Sequence, residues 1–189
     1  MAMSINLRLI ILTTLLIAGK TNLFFAQNKI KWVSWEEAME KSKKEKRKIL
    51  VDIYTDWCGW CKKMDAATFS EDHIARYTNK YYYAVKFNAE TKEDITLGGT
   101  TYKYVKNGNR GYHELAAHLM QGRMSYPTVV FLDENFNVIQ PIPGFQDVQS
   151  FEMILSYFGT DNHKTTPWNK FMAGFQKNNY YNHFSSDKN

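Results

Sequence analysis

Cys58 and Cys61 are the only cysteines among 189 residues, so any sulfur chemistry of this chain is confined to one place. They stand in Trp57-Cys58-Gly59-Trp60-Cys61-Lys62, after a short apolar run and before a stretch free of Gly and Pro. Two cysteines three apart at a helix start are within bonding reach of each other. The first lies where free backbone N–H groups and the helix dipole stabilise a thiolate, and such cysteines have pKa values of roughly 3.5–7.5 against about 8.5 for a free one. The second, one turn deeper, is placed to attack a mixed disulfide made by the first. A thiol–disulfide relay needs no further covalent chemistry. A purely stabilising disulfide is the weaker reading, because so short a loop removes little entropy from the unfolded chain. A metal site would need two more ligands, and neither the five histidines nor the eight methionines show ligand spacing with the pair.

The elements around the pair follow from periodicity and punctuation. Ser34 with Glu37 three residues on is a capping-box pattern that opens a helix through about Lys46. The basic run Lys41–Lys48 reads as the solvated end of that helix. Ile49–Tyr54 is a buried strand leading into the pair, and Cys58 to about Phe69 the helix leaving it. Ser70 is expected to cap a further helical piece holding Ile74 and Tyr77, and Tyr82–Asn88 is the next strand. Gly98-Gly99 between β-prone arms predicts a tight hairpin within Asp94–Val105, followed by a loop over Asn107–Gly111. A helix is expected over Tyr112 to about Gln121. Strands follow at Pro127–Leu132 and Val138–Ile142, then an amphipathic helix over Asp147–Phe158. Beyond residue 158, Thr166-Pro167 looks like a cap and a helix-starting proline, with Trp168, Phe171, Met172 and Phe175 at helical spacing and read as packing on the domain.

Composition narrows the function. The chain has 12 Phe, 12 Tyr and 5 Trp, enough for a substantial core and unlike a disordered chain. Formal charge is +5, of which Arg8 and Lys20 supply two in the first 26 residues, so the remainder carries +3, too little to point to nucleic acid. Leu9–Ala18 is an apolar run well short of the roughly 20 residues a spanning helix needs, and it follows a basic start without acids. It reads as the h-region of a signal peptide cleaved after Ala26, with an uncleaved anchor as the alternative because Phe24 is bulky near the cut. His113 and His118 resemble a zinc-protease helix only at a glance. Five residues apart, they stand about 140° from sharing a face, and they read as surface or loop-contacting side chains.

Residues 49–62, ILVDIYTDWCGWCK, resemble the active-site strand and helix of the thioredoxin family, and the likeness in element order runs from about Lys31 to Phe158. The resemblance implies an α/β fold, a central mixed sheet flanked by helices, here with a hairpin insertion at about 90–111 and a C-terminal helical extension over 159–189. The domain would span 27–158, after the signal peptide of 1–26. The resemblance also implies a cis-proline at Tyr126-Pro127, a buried acid at Asp52, its lysine partner at Lys86 and a glycine after the last hairpin at Gly144. Trp60 stands where thioredoxin itself has proline, and WCGWCKKM is more like exported thioredoxin-like proteins.

On this resemblance the chain is a secreted thiol–disulfide oxidoreductase of the periplasm or cell envelope. Cys58 would be the nucleophile, Cys61 the resolving thiol, and Asp52 with Lys86 would manage the proton of the resolving step. Trp57, Gly59, Trp60, Tyr126, Pro127 and Gly144 would meet the substrate. Expected partners are protein or peptide thiols and disulfides and a membrane electron-donor protein, with no metal, no cofactor beyond the cysteine pair, and a monomeric state. The competing reading is a thioredoxin-fold metal-delivery or assembly module without turnover.

Overall fold

The computed structural model describes residues 28–177; the expected signal peptide and its cleavage point lie outside the described residues. Five strands form one mixed sheet. They are β1 (Trp32–Val33), β2 (Lys48–Tyr54), β3 (Tyr82–Asn88), β8 (Thr128–Leu132) and β9 (Val138–Pro143). Their order is β1-β3-β2-β8-β9, with β1, β3 and β2 parallel and β8 and β9 antiparallel. β2 is the central strand, buried from Lys48 to Ile53, as a near-continuous apolar run covered on both faces requires. Strand β1 is too short to show a period, and the sequence reading passed over it.

Because side chains alternate along a strand, β2 feeds two cores. Leu50 joins Ala84, Val129 and Phe131 on one face. That face is covered by α2 (Gly59–Ala67), α3 (Asp72–Tyr81), α5 (Val148–Gly159) and α6 (Trp168–Lys177), through Met64, Ile74, Phe151, Leu155 and Phe175. Ile49, Val51 and Ile53 join Val85, Phe87 and Val130 on the other. There α1 (Trp35–Lys44) and α4 (Glu114–Leu119) close the core through Trp35, Ala38, Leu115 and Leu119. Asp52 shares the parity of Leu50 and therefore faces the α2 side.

Ser34 caps α1 as expected, its hydroxyl accepting from the Glu37 N–H at 3.2 Å. The next cap differs. Glu71 is the N-cap of α3 and makes no side-chain cap bond, while the Ser70 hydroxyl donates back to the Ala66 carbonyl. Lys48 also departs from the reading of a solvated basic run. It opens β2, is buried, and is held by Glu134 at 2.8 Å and Asp161 at 2.9 Å, because a lysine on a central strand must bring its counter-charges with it.

The insertion holds two hairpins where one hairpin and a loop were expected. In the first, β4 (Ile95–Leu97) pairs with β5 (Thr100–Tyr102) around Gly98 and Gly99, both at positive φ as a two-residue hairpin turn demands. In the second, β6 (Tyr104–Asn107) pairs with β7 (Arg110–His113), so the stretch read as loop is a strand, a turn and a strand. The following helix is correspondingly shorter, starting at Glu114. His113 is fully buried at its N-cap, not on the surface. Its Nδ1 accepts from the Leu115 N–H at 3.2 Å, and its Nε2 meets the Glu93 carbonyl at 3.0 Å. A neutral ring with the proton on Nε2 satisfies both partners. Ile95 and Leu97 bury against the second core, which roots the insertion in the domain.

The C-terminal extension packs back on α5. Tyr157 meets the rings of Trp168 and Phe171 at 5.1 and 5.0 Å, and its hydroxyl donates to the Thr166 carbonyl at 2.7 Å. Among the described residues, no helix is long and apolar enough to cross a membrane.

Candidate active site

The site is built at the C-terminal end of β2, where the chain turns through Thr55–Trp57 into α2. The turn is closed by the Cys58 N–H donating to the Thr55 carbonyl at 3.1 Å. Cys58 is the N-cap of α2 in extended conformation, and Cys61 lies in its first turn. The two are joined as a disulfide, with Cα atoms 5.3 Å apart. Cys58 Sγ accepts from the Cys61 backbone N–H at 3.1 Å, and no acid stands in the helix's first turn to offset its dipole. Both sulfurs belong to buried residues, Cys58 at 5% exposure and Cys61 at 4%. Gly59 is the first helical residue and is exposed, leaving room above the pair.

Beneath lies a charged cluster. Asp52 pairs in register with Lys86 on β3 and Val129 on β8. Lys86 Nζ donates to Asp52 Oδ2 at 3.0 Å and also to Asp65 Oδ1 on α2. Asp52 Oδ1 is buried without a hydrogen-bond partner among the described residues. Burial pushes the Asp52 carboxyl from 3.8 up to about 6; Lys86 pulls it back and Asp65 adds to the rise. Burial pulls the Lys86 ammonium down, but the two carboxylates outweigh it and its pKa ends above the ordinary value. The ammonium also faces the rings of Trp32 and Tyr54 at 5.1 and 5.2 Å.

The rim comes from four other segments. The Tyr126-Pro127 bond is cis, as expected. The Pro127 carbonyl accepts from the Gly144 N–H at 2.8 Å, and Gly144 has φ +88°, where a side chain would be strained. Trp57 meets the Tyr126 ring edge-on at 5.8 Å, and Trp60 meets Phe145 at 5.6 Å. These two tryptophans are 51% and 57% exposed, so they are rim residues and not core anchors. The Trp57 indole N–H donates to both Glu90 carboxylate oxygens at 3.1 Å, and the Arg110 guanidinium lies 4.7 Å above the same ring. Burial, with Glu90 nearby, pushes the Tyr126 hydroxyl up to about 12.

Every residue singled out in the sequence therefore falls in one region: Cys58 and Cys61 at the centre, Asp52 and Lys86 below, Trp57, Gly59, Trp60, Tyr126, Pro127 and Gly144 around. Four neighbours went unread, one of them Glu90, which accepts from the Trp57 indole. Asp65 stands four residues after Cys61, hence on the same helical face, and that spacing could have revealed it. Phe145 adjoins Gly144. Arg110 had no local signal, since only the folding of the second hairpin brings it to Trp57.

Residues 20–156 match the family model Thioredox_DsbH, described as a protein of unknown function, DUF255. The chain belongs to this family. Over 88 residues it is 27% identical to mouse spermatogenesis-associated protein 20 and 26% to the human one, covering 46% of this chain and 11% of each of those proteins. It thus spans about a tenth of the length of these curated relatives. Among solved structures it is similar to a DsbH oxidoreductase, with 17% identity, 74% of this chain, 90% of that one and a TM-score of 0.50. It is likewise similar to a thioredoxin from Thermus thermophilus, with 17% identity, 69% of this chain, 87% of that one and a TM-score of 0.51. These likenesses show the thioredoxin fold. The C-x-x-C pair at the start of α2 stands within the matched residues.

Proposed function

We propose that the protein is an exported thiol–disulfide oxidoreductase acting on protein disulfides, with Cys58 as nucleophile and Cys61 as resolving thiol. The observation that carries the reading is the placement of Cys58 Sγ at the helix N-cap, where it accepts the Cys61 N–H and meets no first-turn acid. The reduced pair gains from that placement a stabilised Cys58 thiolate. The Cys58 thiolate attacks one sulfur of a substrate disulfide, forming a mixed disulfide and releasing the other substrate sulfur as a thiolate. Cys61 gives up its proton and attacks the Cys58 sulfur. The Cys58–Cys61 disulfide forms and the second substrate thiol leaves, so two electrons pass from the pair to the substrate. The reverse sequence oxidises a substrate dithiol, and the potential of the pair against its partner sets the direction.

Asp52 fits the proton acceptor for Cys61. It lies on the face of β2 that α2 covers, its Oδ1 has no hydrogen-bond partner among the described residues, and a carboxyl with a pKa of about 6 exchanges protons in the neutral range. Lys86 holds Oδ2 and orients the group. Export rests on the short apolar run Leu9–Ala18 after a basic start, which supports delivery to an envelope compartment where thiols are oxidised. There a membrane dithiol protein is the class of partner that would return electrons to the pair.

Insulin-disulfide turnover by the reduced protein, together with equilibration of the pair against a glutathione series, tests the activity and its direction. No turnover and no mixed disulfide with a reactive probe would overturn the reading. Fusing residues 1–26 to a reporter that is active only outside the cytoplasm tests export.

A further inference from the structure

The two exposed tryptophans beside the disulfide share a feature that the redox chemistry leaves unused. Each carries a cation on its ring face. Arg110, on β7 of the insertion, lies 4.7 Å from the Trp57 ring centre, and Lys63, on α2, lies 4.6 Å from that of Trp60. Lys63 also reaches the Phe145 ring at 5.3 Å. Among the described residues, neither cation has a carboxylate within ion-pairing distance, whereas Lys48 and Lys86 inside the domain each hold two. Lys62 adds an exposed charge beside Cys61. The partners of the two nearby acids are neutral, Glu90 accepting from the Trp57 indole and Asp56 from the Asn88 amide at 3.2 Å, so it is by number that the cations Lys62, Lys63 and Arg110 exceed them.

A guanidinium lying on an indole keeps its in-plane N–H edges free, so it can hold a carboxylate as a fork while staying on the ring. The two rings lean on neighbouring strand ends, Trp57 on Tyr126 before β8 and Trp60 on Phe145 after β9. The cations thus flank the disulfide on two sides. Apolar ring surface can cover the cysteine region of a bound segment, and the cations can take charges on either side of it. The net charge of +3 carried by residues 27–189 acts in the same direction at longer range.

We propose that the Trp57–Arg110 and Trp60–Lys63 pairs form a cationic aromatic cleft that selects acidic peptide segments around the attacked cysteine. The proposal rests on the oxidoreductase reading and names its substrate class. The insertion then serves specificity, since Arg110 reaches the site only through the second hairpin.

Two peptide disulfides, identical except for glutamates or lysines flanking the cysteine, compete for the reduced full-length protein, and mass spectrometry counts the thiols released. At about 20 mM salt the acidic peptide should react roughly tenfold faster, and at about 0.5 M the ratio should shrink towards one, because exposed charges are then screened. The double variant Arg110→Glu and Lys63→Glu should reverse the preference. A second arm needs no redox step. Serine versions of both peptides are titrated against the oxidised protein by tryptophan fluorescence, and the acidic one should bind more tightly by a similar factor. Turnover with equal rates for the two peptides, or a preference that survives the double charge reversal, overturns the cleft alone. Preferential binding without any turnover upholds the cleft and overturns the oxidoreductase reading. Neither turnover nor preference overturns both.

Discussion

Lys86 and Lys63 both place an ammonium over an aromatic ring near the same helix, yet they live under different physics. Lys86 is enclosed between the sheet and α2, with Asp52 and Asp65 as partners. There desolvation outweighs the opposing pull of Lys86 and moves Asp52 up to about 6. Lys63 lies on the exposed Trp60 ring, where water screens its charge and a cation–π contact contributes only about 0.5–1 kcal/mol. On the proposed reading, the same chemical group tunes protons below the disulfide and reads substrate above it. Burial, not residue type, separates the two tasks.

The largest expected effect lies at the centre. Cys58→Ser should reduce insulin turnover to the uncatalysed rate, whereas Cys61→Ser should accumulate mixed disulfides that peptide mapping places on Cys58. Adducts that form on Cys61 in Cys58→Ser, with none on Cys58 in Cys61→Ser, would reverse the assigned roles.

The lower half should show its burial as a pH-dependent stability. Folding raises the Asp52 pKa from 3.8 to about 6, so between these values the native state holds a proton that the unfolded chain has released. Wild-type stability therefore falls as pH rises through that window, relative to a variant that cannot titrate there. At about 1.4 kcal/mol per unit, the gap between Asp52→Asn and wild type should widen by about 2 kcal/mol from pH 4 to pH 7. Urea denaturation across that range measures it, and a flat difference would mean that Asp52 is not desolvated in the native state. The same variant should slow mixed-disulfide resolution around pH 6–8 while leaving the first attack by Cys58 nearly unchanged.

The rim should respond weakly in stability. Trp60→Ala is expected to cost about 1 kcal/mol, against about 3 or more for deletion of a buried aromatic. A larger loss in urea would show that Trp60 anchors the fold, and the contrast between the halves would collapse. The smallest effect belongs to Asp65→Asn. Removing this carboxylate takes away a charge that raises Asp52 and leaves Lys86 to Asp52 alone, so the Asp52 midpoint should fall. Carboxyl NMR titration reads that shift directly.

The redox half of the site was legible because its information is local. A helix start needs only the residues that form it, whereas Asp52, though an acid in an apolar strand, was brought to the site by the family resemblance. Tyr126, Pro127 and Gly144 are far from Cys58 in the chain, and only the family resemblance brought them to the site. Lys48 misled for a related reason. Its neighbours in sequence are solvated lysines, but its neighbours in space are Glu134 and Asp161, which no local pattern connects to it. Of the two readings of His113, surface or loop-contacting, burial removes the first, while its contact with the Glu93 carbonyl fits the second.

By itself, then, the sequence determined the cysteine pair, the strand and helix that carry it, and the apolar periodicities that order the sheet and its covering helices. These depend on spacing within one element, where 3.6- and 2-residue periods can be read directly. The tertiary structure alone decided which cation meets which ring. It seated Arg110 on Trp57, gave Lys86 its second carboxylate from α2, and set the depth at which Asp52 loses water. Those outcomes depend on distances between elements remote in the chain, and desolvation has no value until the elements close over the group.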